Sequence, residues 1–386
     1  MAEVKPAIET FAKIKVVGVG GSGGSAVNRM IKAKIKGVDF LAVNTDVQAL
    51  HISQAPHKLH IGKSITRGLG AGMDPEQGRR AAEESQNEIR DALRGADMVF
   101  ITCGLGGGTG TGASPIVAEL ARDAGSLTVA VVTKPFSWEG AQRTAIAEKG
   151  LADLVGKVDA IITIPNDKIL QLVDKKTPML DSFMTVDEVL RQGVQGIAEA
   201  ITIPGLINVD FADVKAIMKE AGSALIGIGE ASGEERAVEA AKLAIASPLL
   251  DISMDGAKGI LFIVTGGPDL TMHEVDEAAK IVTASADNNA KIIFGAVIDE
   301  NIKNKVRITV IATDFGERAM PVVRRTPGLE RPIYEPTEFA TRSLPMEEDF
   351  RQLADLAPAP KARKETARTK EEEELEIPAF IRKKLR

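Results

Sequence analysis

Residues Gly104-Leu-Gly-Gly-Gly-Thr-Gly-Thr-Gly112 decide how this chain is read. They follow Met98-Val-Phe-Ile-Thr-Cys103, an apolar run with the character of a buried strand, and lead into Ala113-Ser-Pro-Ile-Val-Ala-Glu-Leu120, which has the character of a helix start. Strand, glycine loop and helix in that order turn bare backbone N–H groups and the positive end of a helix toward an anion. Side chains in such a loop would block the approach, so glycine is required. Two threonines add hydroxyl donors without adding charge. The expected guest is the phosphate chain of a nucleotide.

A second glycine cluster, Gly18-Val-Gly-Gly-Ser-Gly-Gly-Ser25, follows the first apolar run and opens a helix expected from about Ala26. Gly18, Gly20 and Gly23 match G-x-G-x-x-G, and Asn44-Thr45-Asp46 ends the next strand, as a dinucleotide-binding enzyme requires. A nicotinamide-dependent oxidoreductase therefore stands as one reading. It has no use for the second loop, whereas two phosphate-facing loops on neighbouring strands suit a triphosphate. Gly62-Lys-Ser64 imitates the end of a Walker A loop, but position 57 is His and no strand is expected before it, which argues against a P-loop. Arg67-Gly-Leu-Gly-Ala-Gly72 precedes a helix, either as a cover for the terminal phosphate or as an ordinary connection.

Working outward, Lys13–Val19, Asp39–Asn44, Met98–Cys103, Thr128–Thr133 and Ala160–Ile164 alternate with helical stretches such as Pro75–Arg94 and Ser114–Ala124. This alternation predicts an α/β fold with a parallel sheet covered on both faces. Met184–Thr202 carries Val186, Val189, Leu190, Val194, Ile197 and Ile201 at helical spacing, the pattern of a long central helix. A second, α+β module is expected from about Gly222 to Asp314, with strands near Ala224–Ile228, Gly259–Val264, Lys291–Val297 and Val306–Ala312. From about residue 317 prolines accumulate among charges, the composition of a disordered linker. Leu375-Glu-Ile-Pro-Ala-Phe-Ile381, between an acidic run and Arg382–Arg386, reads either as a peptide that orders on a partner or as an inert charged tail. The expected segments are 1–10 (disordered), 11–183 (nucleotide domain), 184–203 (central helix), 204–316 (α+β domain), 317–370 (linker) and 371–386 (terminal peptide).

Composition narrows the class. The 386 residues are 44% hydrophobic, enough for a large core. A net charge of −6 argues against a general nucleic-acid binder. The one cysteine, Cys103, sits in an apparent strand and reads as a buried small hydrophobe. His51, His57 and His60 cluster without zinc-like partners and read as a solvated loop. Neither a signal peptide nor a membrane span is expected, so the reading is a soluble intracellular protein.

Further candidates lie where strand ends meet helices. In Thr133-Lys-Pro135 through Arg143, Glu139 could accept ribose hydroxyls and Arg143 could fork onto phosphate; an i,i+4 surface ion pair is the commoner use of that spacing. Asp187 could accept the two adjacent N–H donors of guanine, or simply face the helix dipole. Asn208-Val-Asp-Phe-Ala-Asp213 places Asp210 and Asp213 on one side of a first helical turn, where they could orient a water or cap the helix.

Taken together, Gly106–Gly112, Asn208–Asp213 and Glu376–Arg382 resemble the FtsZ family, the tubulin-like division GTPases of bacteria, over residues 11 to 317 and again in the tail. The resemblance implies a tubulin-like fold and a GTP/GDP site drawn from Gly20, Gly21, Ser22, Gly23, Gly24 and Ser25, from Ala71 and Gly72, and from Gly106, Gly107, Gly108, Thr109, Gly110, Thr111 and Gly112. Thr133, Pro135, Glu139 and Arg143 complete the phosphate and ribose side; Asn166, Phe183 and Asp187 meet guanine. It implies that Asn208, Asp210 and Asp213 act on GTP held by the next subunit of a head-to-tail polymer, a heterologous interface that yields filaments. It also implies Mg²⁺ held mainly through the phosphates rather than by a protein site, with K⁺ as a further candidate ion. Expected partners are other copies of the chain and membrane-tethering or regulatory division proteins at Leu375–Arg386, in a cytoplasmic ring at midcell. Where the family has Gly and Asn, this chain has Ser22 and Ser25; Trp138 replaces a common Phe and Lys134 a common Arg.

Overall fold

Short β-branched runs alternating with amphipathic stretches build a sheet layered between helices. The structure is a computed structural model describing residues 12–170, 176–202, 205–246, 254, 256–299, 302 and 304–315. The linker and terminal peptide expected after residue 317 lie outside the described residues, as does the segment 1–10.

Among the described residues, ten strands form one sheet: β1 (Ile14–Val19), β2 (Val38–Asn44), β3 (His57–His60), β4 (Met98–Gly104), β5 (Leu127–Lys134), β6 (Ala160–Pro165), β7 (Gly222–Ser232), β8 (Ala257–Gly266), β9 (Ala286–Ile298) and β10 (Lys305–Thr313). Their order is β3-β2-β1-β4-β5-β6-β7-β10-β8-β9. Strands β1 to β6 are mutually parallel, and β7 continues the sheet in parallel from β6 through Ala160↔Gly222 to Ile162↔Ala224. The antiparallel element is β10, inserted between β7 and β8, while β9 lies parallel to β8 at the outer edge. The second module thus has the mixed character expected of it, on a sheet shared with the first.

The principal helices are α1 (Gly20–Lys32), α2 (Pro75–Glu84), α3 (Thr109–Asp123), α4 (Ala141–Val155), α5 (Met179–Thr202), α6 (Phe211–Met218), α7 (Arg236–Ile245) and α8 (Met272–Ala284). Successive strand residues face opposite layers. Ile14, Val16, Met98 and Phe100 enter one core with Val186, Leu190, Val194 and Ile197 of α5, whereas Val17, Val19, Val99, Ile101 and Cys103 enter another with Val117 and Ala121 of α3. Burial pushes the Cys103 thiol up to about 11, which makes it unreactive.

Four local expectations are corrected. Helix α1 starts at Gly20, not near Ala26, because Gly20 takes φ +74° and turns β1 directly into the helix. Helix α3 starts at Thr109, so half of the glycine stretch is helical rather than loop. Pro75–Arg94 is two helices, broken at Ser85, whose buried hydroxyl is diverted to accept the Gly62 N–H at 3.1 Å. The histidine cluster contains an edge strand, His57–His60, paired with Leu41–Asn44; only Leu59 there carries an apolar signal.

Packing of α2 on α3 is set by Gly112. A methyl there would lie 1.9 Å from the Pro75 carbonyl oxygen and 2.7 Å from the Arg79 nitrogen. Helix propensity favours Ala over Gly by about 1 kcal/mol, but the backbone contact reverses the sign. Gly112→Ala is expected to destabilise by about 2 kcal/mol in urea unfolding. Gly156→Ala, at φ −73° with open space around it, should stay within about 0.5 kcal/mol of the parent. An unchanged midpoint for Gly112→Ala would refute this packing.

Candidate nucleotide site

The order β2-β1-β4 means that the chain adds strands on opposite sides of β1, and the carboxyl ends of β1 and β4 flank the crevice this creates. Each of these strands runs into a helix with an open end. Helix α1 begins after Val19 and α3 after Gly108; neither has a side-chain cap or an acidic residue in its first turn. The two ends touch: a β-carbon on Gly20 would sit 2.9 Å from the Gly110 nitrogen. Two uncapped, positive helix termini side by side form an anion site. The loop before α3 is braced from behind, with Gly108 N–H donating to Gly72 O at 2.8 Å and Gly106 N–H to Thr111 Oγ1 at 2.9 Å.

A cleft of about 320 Å³ opens at this point. Gly21, Ser22, Gly72, Gly107, Gly108, Thr109, Gly110, Thr133, Pro135, Glu139, Arg143, Asn166, Phe183 and Asp187 all line it, so residues spread over most of the first module meet in one place. Val19, Gly104, Leu105 and Val186 line it as well. They escaped the sequence reading because apolar and strand-end residues look like core; Gly104, the first residue of the glycine stretch, was the available signal.

Other candidates occupy supporting positions. Gly20, Gly23, Gly106 and Gly112 let backbone approach backbone or side chain, Gly23 facing the Thr102 carbonyl oxygen. Thr111 is turned inward by its bond to Gly106, and the Ala71 carbonyl lies under Gly108. Gly24 and Ser25 sit on the outer side of α1. Thr109 Oγ1 lies 2.6 Å from Thr45 Oγ1.

At the far end of the cleft, Asn166 is buried with its Oδ1 lacking a hydrogen-bond partner. Burial pushes the Asp187 carboxyl up to about 6, against the opposing pull of Arg29, whose Nε lies 3.8 Å away and is itself buried without a hydrogen bond. Arg29 escaped the sequence reading because it sits on the helix of the first glycine cluster, far from Asp187 in the chain. Phe183 meets Phe136 edge-on at 5.8 Å, and Phe136 stacks on the exposed Trp138 at 5.4 Å. Glu139 accepts from Phe136 N–H at 2.9 Å and from Arg143 Nη1 at 2.6 Å, so the i,i+4 ion pair exists within the cleft wall.

Asn208, Asp210 and Asp213 are elsewhere. From Asp187 to the end of α5 at Thr202 the helix rises about 22 Å. Thr202 packs against Gly37, just before β2, at the starting ends of the strands, opposite the cleft. Beyond it, Asn208 Oδ1 accepts from Gly205 N–H at 2.6 Å, and Asp210 caps α6 by accepting from Asp213 N–H at 2.7 Å. Lys215 and Lys219 of that segment lie with Leu127 and Asp159 at the starting ends of β5 and β6.

Residues 13–174 match the model of the Tubulin/FtsZ family, GTPase domain, and residues 222–316 that of the FtsZ family, C-terminal domain. An empty FtsZ dimer from M. jannaschii is 50% identical, covering 79% of this chain and 88% of its own, with a TM-score of 0.75. This chain belongs to the Tubulin/FtsZ family. A tryptophan-to-tyrosine mutant of M. jannaschii FtsZ gives the same identity and TM-score, with 91% of its own length covered. At 24% identity, CetZ2 from Haloferax volcanii, a GTPγS-bound protofilament, shares the fold with a TM-score of 0.68. The first module is therefore a tubulin-like GTPase domain, of a family that hydrolyses GTP.

In an FtsZ-family cleft the raised Asp187 carboxyl has a consequence. Its folded value lies above the usual carboxylate range, so ionisation costs the fold nothing below about pH 4 and its full penalty above about pH 6. As the proposed acceptor of guanine's two N–H donors Asp187 would have to be ionised, so protonation would compete with the ligand. Guanosine, which lacks titrating phosphates, should bind about tenfold more weakly per pH unit below 6. Asp187→Asn should bind guanosine weakly and without that dependence. Titration by calorimetry between pH 7.5 and 5 tests this; a flat affinity in the folded parent removes Asp187 from the base site.

Proposed function

We propose that this protein binds GTP in the cleft, assembles head to tail into filaments, and hydrolyses GTP where one copy meets the next. The observation that carries the reading is the separation of two half-sites within one chain. The cleft lies at the carboxyl ends of the strands, and the Asp210/Asp213 turn lies past the far end of α5. Opposite faces bearing complementary halves define a heterologous, open-ended interface. The dimer of FtsZ from M. jannaschii supports self-association.

The proposed division of labour is supported by the residues that line the cleft. Backbone N–H groups at the starts of α1 and α3 hold the phosphates, Asn166 and Asp187 read guanine, and Glu139 with Arg143 bounds the ribose and phosphate side. The neighbour's Asp213 orients water, with Asp210 fixing the turn that presents it. Carboxylates repel a triphosphate unless a cation intervenes, so bringing them from a neighbour couples hydrolysis to assembly; orientation and charge supply most of the catalysis of phosphoryl transfer. Among the described residues no cluster of three or more His, Cys, Asp or Glu is placed to hold a metal ion. Mg²⁺ is proposed to enter on the phosphates, with K⁺ as a second candidate ion.

The cellular role proposed is a cytokinetic ring at midcell, on the inner face of the cytoplasmic membrane, with Leu375–Arg386 as the adaptor-binding peptide. Among the described residues no helix is long and apolar enough to cross a membrane, which suits attachment through partners.

Light scattering and phosphate release on adding GTP or ATP with Mg²⁺ test the proposal. GTP alone should raise scattering, which decays as phosphate appears; no scattering with either nucleotide would overturn it. Asp213→Ala should keep GTP affinity and lose about a hundredfold or more in turnover. Weakened GTP binding by the isolated monomer would contradict a role in trans.

A further inference from the structure

We propose that the Ser22 hydroxyl is a phosphate donor that strengthens nucleotide retention in this chain, an inference that rests on the nucleotide reading of the cleft. Ser22 is the third residue of α1, exposed within the cleft, on a helix of 13 residues whose first turn carries no cap and no acid. Its Oγ makes no hydrogen bond to any described residue. The side chain stands over Gly104: a β-carbon built there would lie 2.8 Å from Ser22 Oγ and 3.4 Å from Thr133 Oγ1. Two hydroxyls therefore converge above Gly104, where a larger residue would push the Ser22 side chain aside. The same cleft holds the buried, unpartnered Oδ1 of Asn166, an independent sign that its polar groups await a ligand.

An O–H on the first turn of a helix has two uses. It can cap backbone N–H groups of its own turn, or it can add a donor to whatever the N–H groups face. Ser22 does not cap, and Val19, at the cap position, has no side chain able to do so. The added donor is the use that remains. A hydroxyl bonded to a charged phosphate is one of the stronger hydrogen bonds. Glycine at this position would leave the backbone cradle intact and remove that one donor. Ser22 is therefore a specificity-determining residue that favours phosphorylated over unphosphorylated guanosine and slows release of the nucleotide.

The test is equilibrium binding of GDP and of guanosine to the full chain, and release of a fluorescent GDP analogue, in the parent, Ser22→Gly and Ser22→Ala. The parent should bind GDP, and both variants should bind it about tenfold more weakly, release it faster by a similar factor, and bind guanosine as the parent does. Preserved guanosine binding shows that the variants are folded with the base site intact. GDP affinity within twofold of the parent in both variants, or equal losses for GDP and guanosine, would overturn the role of Ser22. Failure of the parent to bind guanosine or GDP would instead remove the nucleotide reading itself.

Discussion

Two helix N-termini held against each other, α1 by Gly20 and α3 by Gly110, are the constraint on which the site depends. Each brings backbone N–H groups with no partner inside its own helix, and like partial charges repel at this distance. The fold imposes the contact because β1 and β4 are neighbours in the sheet and each runs into its helix within a few residues. An anion between the two ends satisfies both sets of donors at once. Neither helix has a capping side chain or an acidic first-turn residue, which leaves both sets of donors open to the phosphates in the proposed function.

Helix α5 links this cleft to the opposite, starting ends of the strands. Its first turns bear Phe183 and Asp187 in the cleft wall, its middle packs Leu190, Val194 and Ile197 into the main core, and its end reaches Gly37. The same core takes in Val214 and Met218 of α6 and Leu261 and Ile263 of β8. The Asp210/Asp213 turn is thus fixed by the same apolar contacts that support the nucleotide wall. Rigid support of both ends by one core suits the proposed sharing of chemistry between successive copies, in which each end would present its groups in register to a different molecule.

Much of this was legible in the sequence, and the reason differs from place to place. Strands β1, β4 and β5 are buried on both faces, so continuous apolar runs revealed them. The glycine stretch announced an anion site because few other uses demand so many residues without side chains. Helix starts differ from expectation for the same cause: glycine has low helix propensity, yet Gly20 to Gly24 and Thr109 to Gly112 are helical, with Gly20, Gly23, Gly110 and Gly112 packed against neighbouring backbone. The edge strand at His57–His60 depends on pairing with β2, a tertiary contact that its own residues barely signal. Arg29 beside Asp187, and the bond that turns Thr111 away from the cleft, arise from folding and have no local signature.

The central claim is that one active site is completed by two molecules. Mixing two inactive variants tests it most directly: Asp213→Ala, with an intact cleft and a disabled far end, and Asp187→Asn, with the reverse. Neither alone should release phosphate from GTP at a substantial rate. Together they should regain turnover, rising with the fraction of mixed junctions, because the intact Asp213 of one meets the GTP held by the other. Phosphate release by the mixture that merely equals the average of the separate variants, in filaments that contain both, would contradict the account.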